Sequence, residues 1–370
     1  MFVAWRDLRF ARGRFVLIGS VVALITLLVG FLAGLTGGLA AQNVSAVLAL
    51  PGDRIVLQQP STGQPSFSES SISSKAVASW RKASGVTHVL PVGIVQGKAK
   101  AHGTTAAVAL FGLTHSGGQA DSGTAGTAMA SALTALAPTS DDSVGLSAGA
   151  AKDLGGARVG DTVSILGSTF TVSSVDGDLW YSHTPVAAFT PAAWAQLDKG
   201  TGGSGEATAL AVSGDADWNA VADSTHTSAT TPLSSLAALD AFKSEIGSLG
   251  LMIAMLFGIS ALVVGAFFTV WTMQRSADVA VLKALGATTK SLVRDALGQA
   301  TVVLVVGIGI GMLVVTGLGL LASGALPFLL SPLTTVAPAV AMAVLGLAGA
   351  AVALRNVTKS DPLTALGSNR

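Results

Sequence analysis

The sequence predicts a membrane α-helical protein: four transmembrane helices, with a large extracellular α+β domain inserted between helices 1 and 2. Three observations carry that expectation. Half of the 370 residues are apolar, only 11% are charged, and the mean hydropathy is +0.64, whereas about a quarter of an average soluble domain is charged. Charge is missing altogether from three long windows, Arg14 to Asp53, Glu245 to Arg275 and Asp295 to Arg355. The basic residues are also unevenly spread: 11 of the 21 Lys and Arg fall in residues 1–14, 275–295 and 355–370.

Crossing about 30 Å of hydrocarbon takes roughly 20 apolar residues. The first two windows hold one helix each, at about 15–40 and 247–273. The third is long enough for two, at about 297–322 and 334–354, parted by "SGALPFLLSP" with Gly324, Pro327 and Pro332. The first apolar run is too long for a signal peptide and ends in no clean small-residue cleavage site, so it reads as a retained helix. The Lys/Arg clusters put both termini and the 275–295 loop in the cytoplasm and the insert outside. The layout is therefore a cytoplasmic N-terminal segment with helix 1 (1–45), an extracellular domain (46–245), helix 2 (246–274), a cytoplasmic helix and loop (275–296), helices 3 and 4 (297–354) and a cytoplasmic tail (355–370).

Within the insert, "VGDTVSILGSTFTVSSVDGD" alternates apolar and polar residues around Gly167-Ser168 and reads as a β-hairpin. "SSKAVASWRKAS" and "SSLAALDAFKSEIG" read as amphipathic helices. The Gly/Ser/Thr/Ala-rich stretches 115–142 and 198–207 read as loops. No fixed-period repeat is visible.

Several function classes are excluded or disfavoured. With no cysteine, disulfides, thiolate metal sites and cysteine nucleophiles are impossible. A net charge of +1 gives no reason to expect nucleic acid as a partner. There is no phosphate-binding G-x-x-x-x-G-K-[ST] and no H-E-x-x-H, and G-x-S-x-G occurs once, as "GLSAG" at 145–149. His88, His102, His115, His183 and His226 lack metal-ligand spacing. The chain is expected not to be an enzyme.

Two features of the membrane part stand out. Gly30, Gly34 and Gly38 recur every four residues, with Gly37 beside them, and would open one helix face to a second backbone or a flat ligand; packing among the chain's own helices is the alternative. "GIGIG" in helix 3 supports either reading equally. On the cytoplasmic side, Val279, Leu282 and Leu285 share a face of a short helix ending at Gly286, and Thr288 or Thr289 would cap the next helix. That short helix would lie on the lipid or dock on a partner protein.

"RSADVAVLKALGATTKSLVRD", the ending "DPLTALG" and the basic "AWRDLRFARGRF" resemble FtsX-like permeases, the membrane subunits of MacB-type ABC transporters, and "GLSAGAAKDLGGARVGDTVSI" resembles the core of their extracellular domain. The resemblance implies a homodimer in the bacterial cell membrane, driven by two copies of a separate cytoplasmic ATPase that alone binds ATP and Mg. It also implies a coupling helix carried by Val279, Leu282, Lys283, Leu285 and Gly286. "AGLTGGLAAQNVSAV", "DRIVLQ", "LWYSHTPVAAF", "AFFTVWTMQRSADVAVLKALG" and "LPFLLSP" are similar in order and spacing to the HrtB-type haem exporter branch. This implies haem as a transported substrate, taken from the membrane lipid, rather than a tightly bound cofactor.

Haem iron takes axial His, Tyr, Met or Cys donors, and cysteine is absent. Tyr181, the one tyrosine, and His183 are the first candidates; on a strand, positions i and i+2 would share an exposed face. The alternative is that Tyr181 merely packs on the domain and His183 is ordinary. Glu69 is a lone carboxylate between Arg54 and Lys75 that would meet the iron or serve as a solvated loop charge. Met252, with Met255 nearby, would line a haem entrance or fill packing gaps. Arg54 and Lys243 would pair with propionates or anchor the helix ends. Two other functions fit the architecture: export of another amphiphile (a lipid, peptide antibiotic or lipoprotein), or transmission of ATPase motion to an extracellular partner such as a cell-wall hydrolase.

Overall fold

The computed structural model describes residues 12–115, 132–274, 286, 288–322 and 326–358. The chain divides into two compact units, one of residues 1–38 and 247–370, the other Leu39–Ile246.

Among the described residues, four helices are long and apolar enough to cross a membrane, and they make up the first unit. They are α1 (Arg12–Leu48), α7 (Asp240–Gln274), α8 (Thr289–Ala322) and α9 (Pro332–Thr358). Helix α1, at 37 residues, is about 55 Å long at 1.5 Å per residue, well over a hydrocarbon thickness. Its last turns, and the first turns of α7, belong to the second unit. That unit therefore starts at Leu39, seven residues before the position the apolar pattern suggested.

In the membrane unit, Ile18, Val22 and Val29 of α1 pack with Val303, Leu304 and Ile308 of α8 and Met342 of α9. Small residues set the closest approaches. Gly307 and Gly311 of α8 lie against Val22 and Thr26, and Gly265 of α7 meets Gly349 of α9. Non-helical residues 326–331 separate α8 from α9, and Ser331 Oγ caps the second of these by accepting from Thr334 N at 3.2 Å. Thr288, as expected, caps α8, its Oγ1 accepting from Ser291 N at 3.3 Å.

The second unit is α+β. In chain order it holds β1 (Arg54–Gln58), α2 (Ser74–Lys82), β2 (Val86–Ala101), β3 (Thr104–Gly112), β4 (Ser143–Leu146), α3 (Ala148–Asp153), β5 (Thr162–Ile165), β6 (Ser168–Val175), β7 (Trp180–Tyr181), β8 (Thr184–Phe189), α4 (Pro191–Gly200), β9 (Ala209–Gly214), α5 (Trp218–Thr225), β10 (Thr227–Thr230) and α6 (Pro232–Ser235). Strand β2 is shared by two sheets. Its first half, residues 86–92, pairs with β9 in the open order β10-β1-β9-β2. Its second half, residues 93–101, pairs with β3, and the path β3-β8-β4-β6-β5 returns to β2 at Ala99–Ile165, closing a ring.

Alternation along the open sheet buries both faces, as period-two side-chain direction requires. Ile55, Leu57, Ala209 and Ala211 enter one core together with Val44 and Val47 of α1. Val56, Leu210 and Val212 face Val77 and Trp80 of α2 on the other side. The ring has its own core of Val108, Leu110, Val163, Ile165, Phe170 and Phe189. Where β2 passes from one sheet to the other, Trp194 of α4 lies flat against Gly93 and Gly112, and its Nε1 donates to Leu110 O at 3.1 Å. A Cβ at either glycine would collide with the indole.

The β5–β6 hairpin and α2 form where the sequence places them, the hairpin turning through Leu166 and Gly167, both at positive φ. Three expectations change. The helix expected over 234–247 is broken: α6 passes through one 3₁₀ turn, Leu239 is extended, and α7 starts anew at Asp240. Residues 198–207 are not a free loop, because buried Asp198 accepts from Gly205 N at 2.8 Å and folds the stretch back on α4. In 115–142, residues 132–136 are helical and bury Leu133 and Leu136; residues 116–131 lie outside the described ones.

Gly30, Gly34, Gly37 and Gly38 face the chain's own α8–α9 segment. A Cβ at Gly30 would stand 3.0 Å from Val315, one at Gly34 would enter the Phe328 ring, one at Gly37 would meet Thr334, and one at Gly38 would strike the Pro327 carbonyl. Leu329 N donates to Gly34 O at 3.0 Å, and Phe328 stacks obliquely on Phe31, with ring centroids 5.1 Å apart. The glycine face is filled by intramolecular packing, one of the two readings the sequence left open. Gly38→Ala should destabilise the detergent-solubilised protein by about 1–3 kcal/mol, since backbone cannot move aside as a side chain can. Gly309→Ala, which meets nothing within 4 Å, is the control. Equal melting midpoints for the two variants would refute this packing.

Candidate functional site

The Tyr-Ser-His stretch is a tight hairpin. Tyr181 pairs with Thr184, and the two residues between them, Ser182 and His183, both have positive φ, 44° and 63°. That is the geometry of a type I′ turn, whose hand matches the strand twist. Tyr181 and His183 therefore do not share a strand face: one lies in a strand and the other in the turn.

Their surroundings differ accordingly. Tyr181 is 6% exposed, with its ring edge-on to Phe67 and Phe111 at centroid distances of 6.2 and 5.7 Å. Burial, with a smaller contribution from the Asp240 carboxylate, pushes its phenol well above the ordinary tyrosine range. An exposed phenolate donor is not what the fold provides at this position.

The turn holds the ends of two long helices. Ser182 N and His183 N donate to the carbonyls of Asn43 and Gln42 in α1, each at 3.0 Å. Ser45 Oγ accepts from Trp180 N at 2.9 Å and donates to Trp180 O at 3.3 Å. On the α7 side, His183 Nε2 lies 2.9 Å from Glu245 Oε2, and Asn43 Nδ2 donates to the same oxygen at 3.1 Å. Asn43 is fully buried, and its Oδ1 has no hydrogen-bond partner among the described residues. One turn earlier in α7, Asp240 accepts from Ser68 Oγ at 2.7 Å and Ser66 Oγ at 3.2 Å. A carboxylate there also suits the positive end of a helix dipole. Sequence reasoning missed Asn43, Ser45, Asp240 and Glu245, because nothing local in the sequence marks contacts spanning 135 to 202 residues.

The remaining candidates are dispersed. Glu69 is exposed next to the Ser66–Ser68 loop, and Arg54 stacks its guanidinium on Trp218 at 5.6 Å. Met252 and Met255 are 51% and 60% exposed on α7. Val279, Leu282, Lys283 and Leu285 lie outside the described residues; Gly286 has φ +97°, a conformation that suits a helix stop. In the membrane unit an apolar groove of about 630 Å³ runs between α1 and α8, lined by residues such as Gly19, Ala23, Leu27 and Val306. It offers apolar surface and no iron donor.

Residues 250–362 match the FtsX-like permease C-terminal family. Along its whole length the chain is similar to proteins named for a hemin transport system permease, HrtB. Two come from strains of Staphylococcus epidermidis, at 23% and 24% identity over 100% of both chains, and one from Staphylococcus haemolyticus, at 25% over 99% of both. Among solved structures, it is similar to the extracellular domain of the ABC-type transporter YknZ from Gram-positive bacteria, with 12% identity and a TM-score of 0.32 over 48% of this chain and 99% of that one. It is also similar to the periplasmic region of MacB from Actinobacillus actinomycetemcomitans, with 14% identity and a TM-score of 0.33 over 50% of this chain and 92% of that one.

Two outcomes follow from the hairpin. Glu245→Ala should cost more in urea unfolding than His183→Ala: removing the partly exposed imidazole costs on the order of 0.5 kcal/mol, whereas losing Glu245 also strips the acceptor from buried Asn43, about 1–2 kcal/mol more. Equal losses would show that Asn43 does not depend on Glu245. Because the chain has a single tyrosine, alkaline titration of phenolate absorbance reads Tyr181 alone. The raised folded value means the neutral phenol is favoured in the fold. The stabilisation is fully present below the unfolded value, about 10, and is lost as pH rises from there toward the folded value. A phenolate signal at the ordinary pH, with the fold intact, would contradict the burial.

Proposed function

We propose that this chain, an ABC transporter permease of the FtsX-like type, exports haem from the membrane, driven by ATP hydrolysis in a separate ATPase subunit. The observation that carries the reading is the end-to-end similarity to the staphylococcal hemin permeases, which spans the inserted domain as well as the four helices. The Lys/Arg distribution supports a bacterial plasma-membrane topology with both termini inside and the large domain outside. Two copies of the chain and two ATPase copies complete the transporter, with segment 279–286 as the ATPase contact.

Haem is flat, largely apolar and dissolves in lipid, so it reaches the permease sideways from the outer leaflet. Among the haem-ligand candidates, Glu69 and Met252, with Met255 nearby, present open side chains. Tyr181 is sealed in the core, and His183 Nε2 is already engaged by Glu245. The reading therefore favours, as iron donor, either Glu69 of the inserted domain or Met252 of the membrane unit. His183 and Tyr181 then serve to hold the helix ends.

Absorbance titration of the detergent-solubilised protein with haem is the test. A saturable Soret shift is expected in wild type, weakened about tenfold or more in Glu69→Gln or Met252→Leu, and kept in Tyr181→Phe; about 1.4 kcal/mol of lost binding corresponds to that factor. A shift no larger than that of empty micelles would overturn the haem reading and return the substrate to another amphiphile. Loss in Tyr181→Phe, with the fold intact, would instead restore the buried tyrosine as the ligand.

A further inference from the structure

In the inserted domain a cleft of about 450 Å³ opens between α2 and α4, above the point where β2 changes sheets. Its floor and walls include Ile72, Pro91, Pro191 and Trp194, and Gly93 and Gly112 keep the floor low. Two cations, Arg81 from α2 and Lys199 from α4, line it. Both are exposed, and neither makes an ion pair or side-chain hydrogen bond among the described residues. The one carboxylate in the cleft, Glu206, accepts from Ser71 Oγ at 3.4 Å, and Ser71 also bonds Ser204 at 2.8 Å, which fastens the 204–207 wall. Two free cations against one tethered carboxylate leave the cleft net positive beside an apolar floor.

We infer that this cleft is a binding site for an amphiphilic carboxylate, its apolar body on the floor and its acid groups between Arg81 and Lys199. Size and make-up suit a small-molecule site: pockets of roughly 300–1,000 Å³ with a few placed polar groups are the common pattern. Charge-assisted contacts from a guanidinium and an ammonium are the strong ones available to a carboxylate. The occupant in transport, haem with its two propionates, rests on the proposed function; the carboxylate chemistry does not. The site would then receive haem after it leaves the membrane, apart from any iron ligand.

The test uses the full chain in detergent with two probes, iron-free protoporphyrin IX and pyrenebutyrate, against empty micelles. Each should bind wild type saturably, about tenfold more weakly in R81Q/K199Q, where roughly 1.4 kcal/mol is lost, and unchanged in K98Q, an exposed cation outside the cleft. Ala78→Trp, from an exposed helix position lining the cleft, should block binding without touching the core. Protoporphyrin IX dimethyl ester, lacking free acids, should not compete. Equal binding to wild type and R81Q/K199Q, or no probe binding beside an intact haem Soret shift, overturns the cleft and leaves the haem reading standing. Pyrenebutyrate binding that depends on Arg81 and Lys199, with no haem or porphyrin binding, keeps the cleft and removes haem. No binding of any of them overturns both.

Discussion

Backbone hydrogen bonding along β2 is the constraint on which the inserted domain depends. Its 16 residues give one edge to an open sheet and then, past Gly93, pair into a closed ring. Neither sheet would exist without the shared strand, and closing the ring leaves it no free edge to protect, a standing hazard for sheets. The transition is tolerated because Gly93 and Gly112 let the Trp194 indole cover the junction directly. Helices α2 and α4, one over each sheet, are thereby set on either side of a crevice. The placement of Arg81 and Lys199 is thus a by-product of how one strand is divided.

The membrane unit answers a different constraint. In lipid, backbone polar groups must be satisfied internally, which helices and closed barrels alone achieve; this chain uses helices, and what distinguishes one helical arrangement from another is how closely the helices approach. Here glycine sets that distance on both sides of α1: its own glycines receive Phe328 and Pro327, while those of α8 receive Val22 and Thr26. The result is a tightly joined α1–α8 pair whose remaining surface is the long apolar groove. Substrate chemistry, if it involves iron, has to draw on donors elsewhere, since that groove contributes none.

Much of this was legible in the sequence, and the misses have identifiable causes. The absence of charge announces a membrane helix directly, so the four spans were readable. Their true ends were not, because α1 stays helical beyond the expected span of about 15–40, where Val44 and Val47 bury in a soluble core. The hairpin 162–175 was readable from alternation and a glycine. The one at 180–184 was not, since Ser-His lacks the Asn-Gly signal of a type I′ turn. That single turn moved Tyr181 into the core and His183 onto Glu245. The break at Leu239 escaped notice because α6, the 3₁₀ turn and α7 carry one continuous amphipathic pattern, and only the hold of Ser66 and Ser68 on Asp240 shows where the second helix starts. The cleft was invisible because its residues come from five separate stretches of chain.

The hairpin at Ser182–His183 grips α1 through main-chain amides, and only its grip on α7 uses a side chain. The joint to α1 is consequently indifferent to the identity of residues 182 and 183, so long as they accept positive φ. During divergence Ser-His can be replaced by Asn-Gly with the joint intact and merely the contact to Glu245 surrendered. Lineages that have drifted in this way would keep the architecture and shed the Tyr-x-His signature. The motif therefore tracks ancestry more faithfully than it tracks mechanics, and its loss in a distant relative would not mean that the relative's helices have come apart.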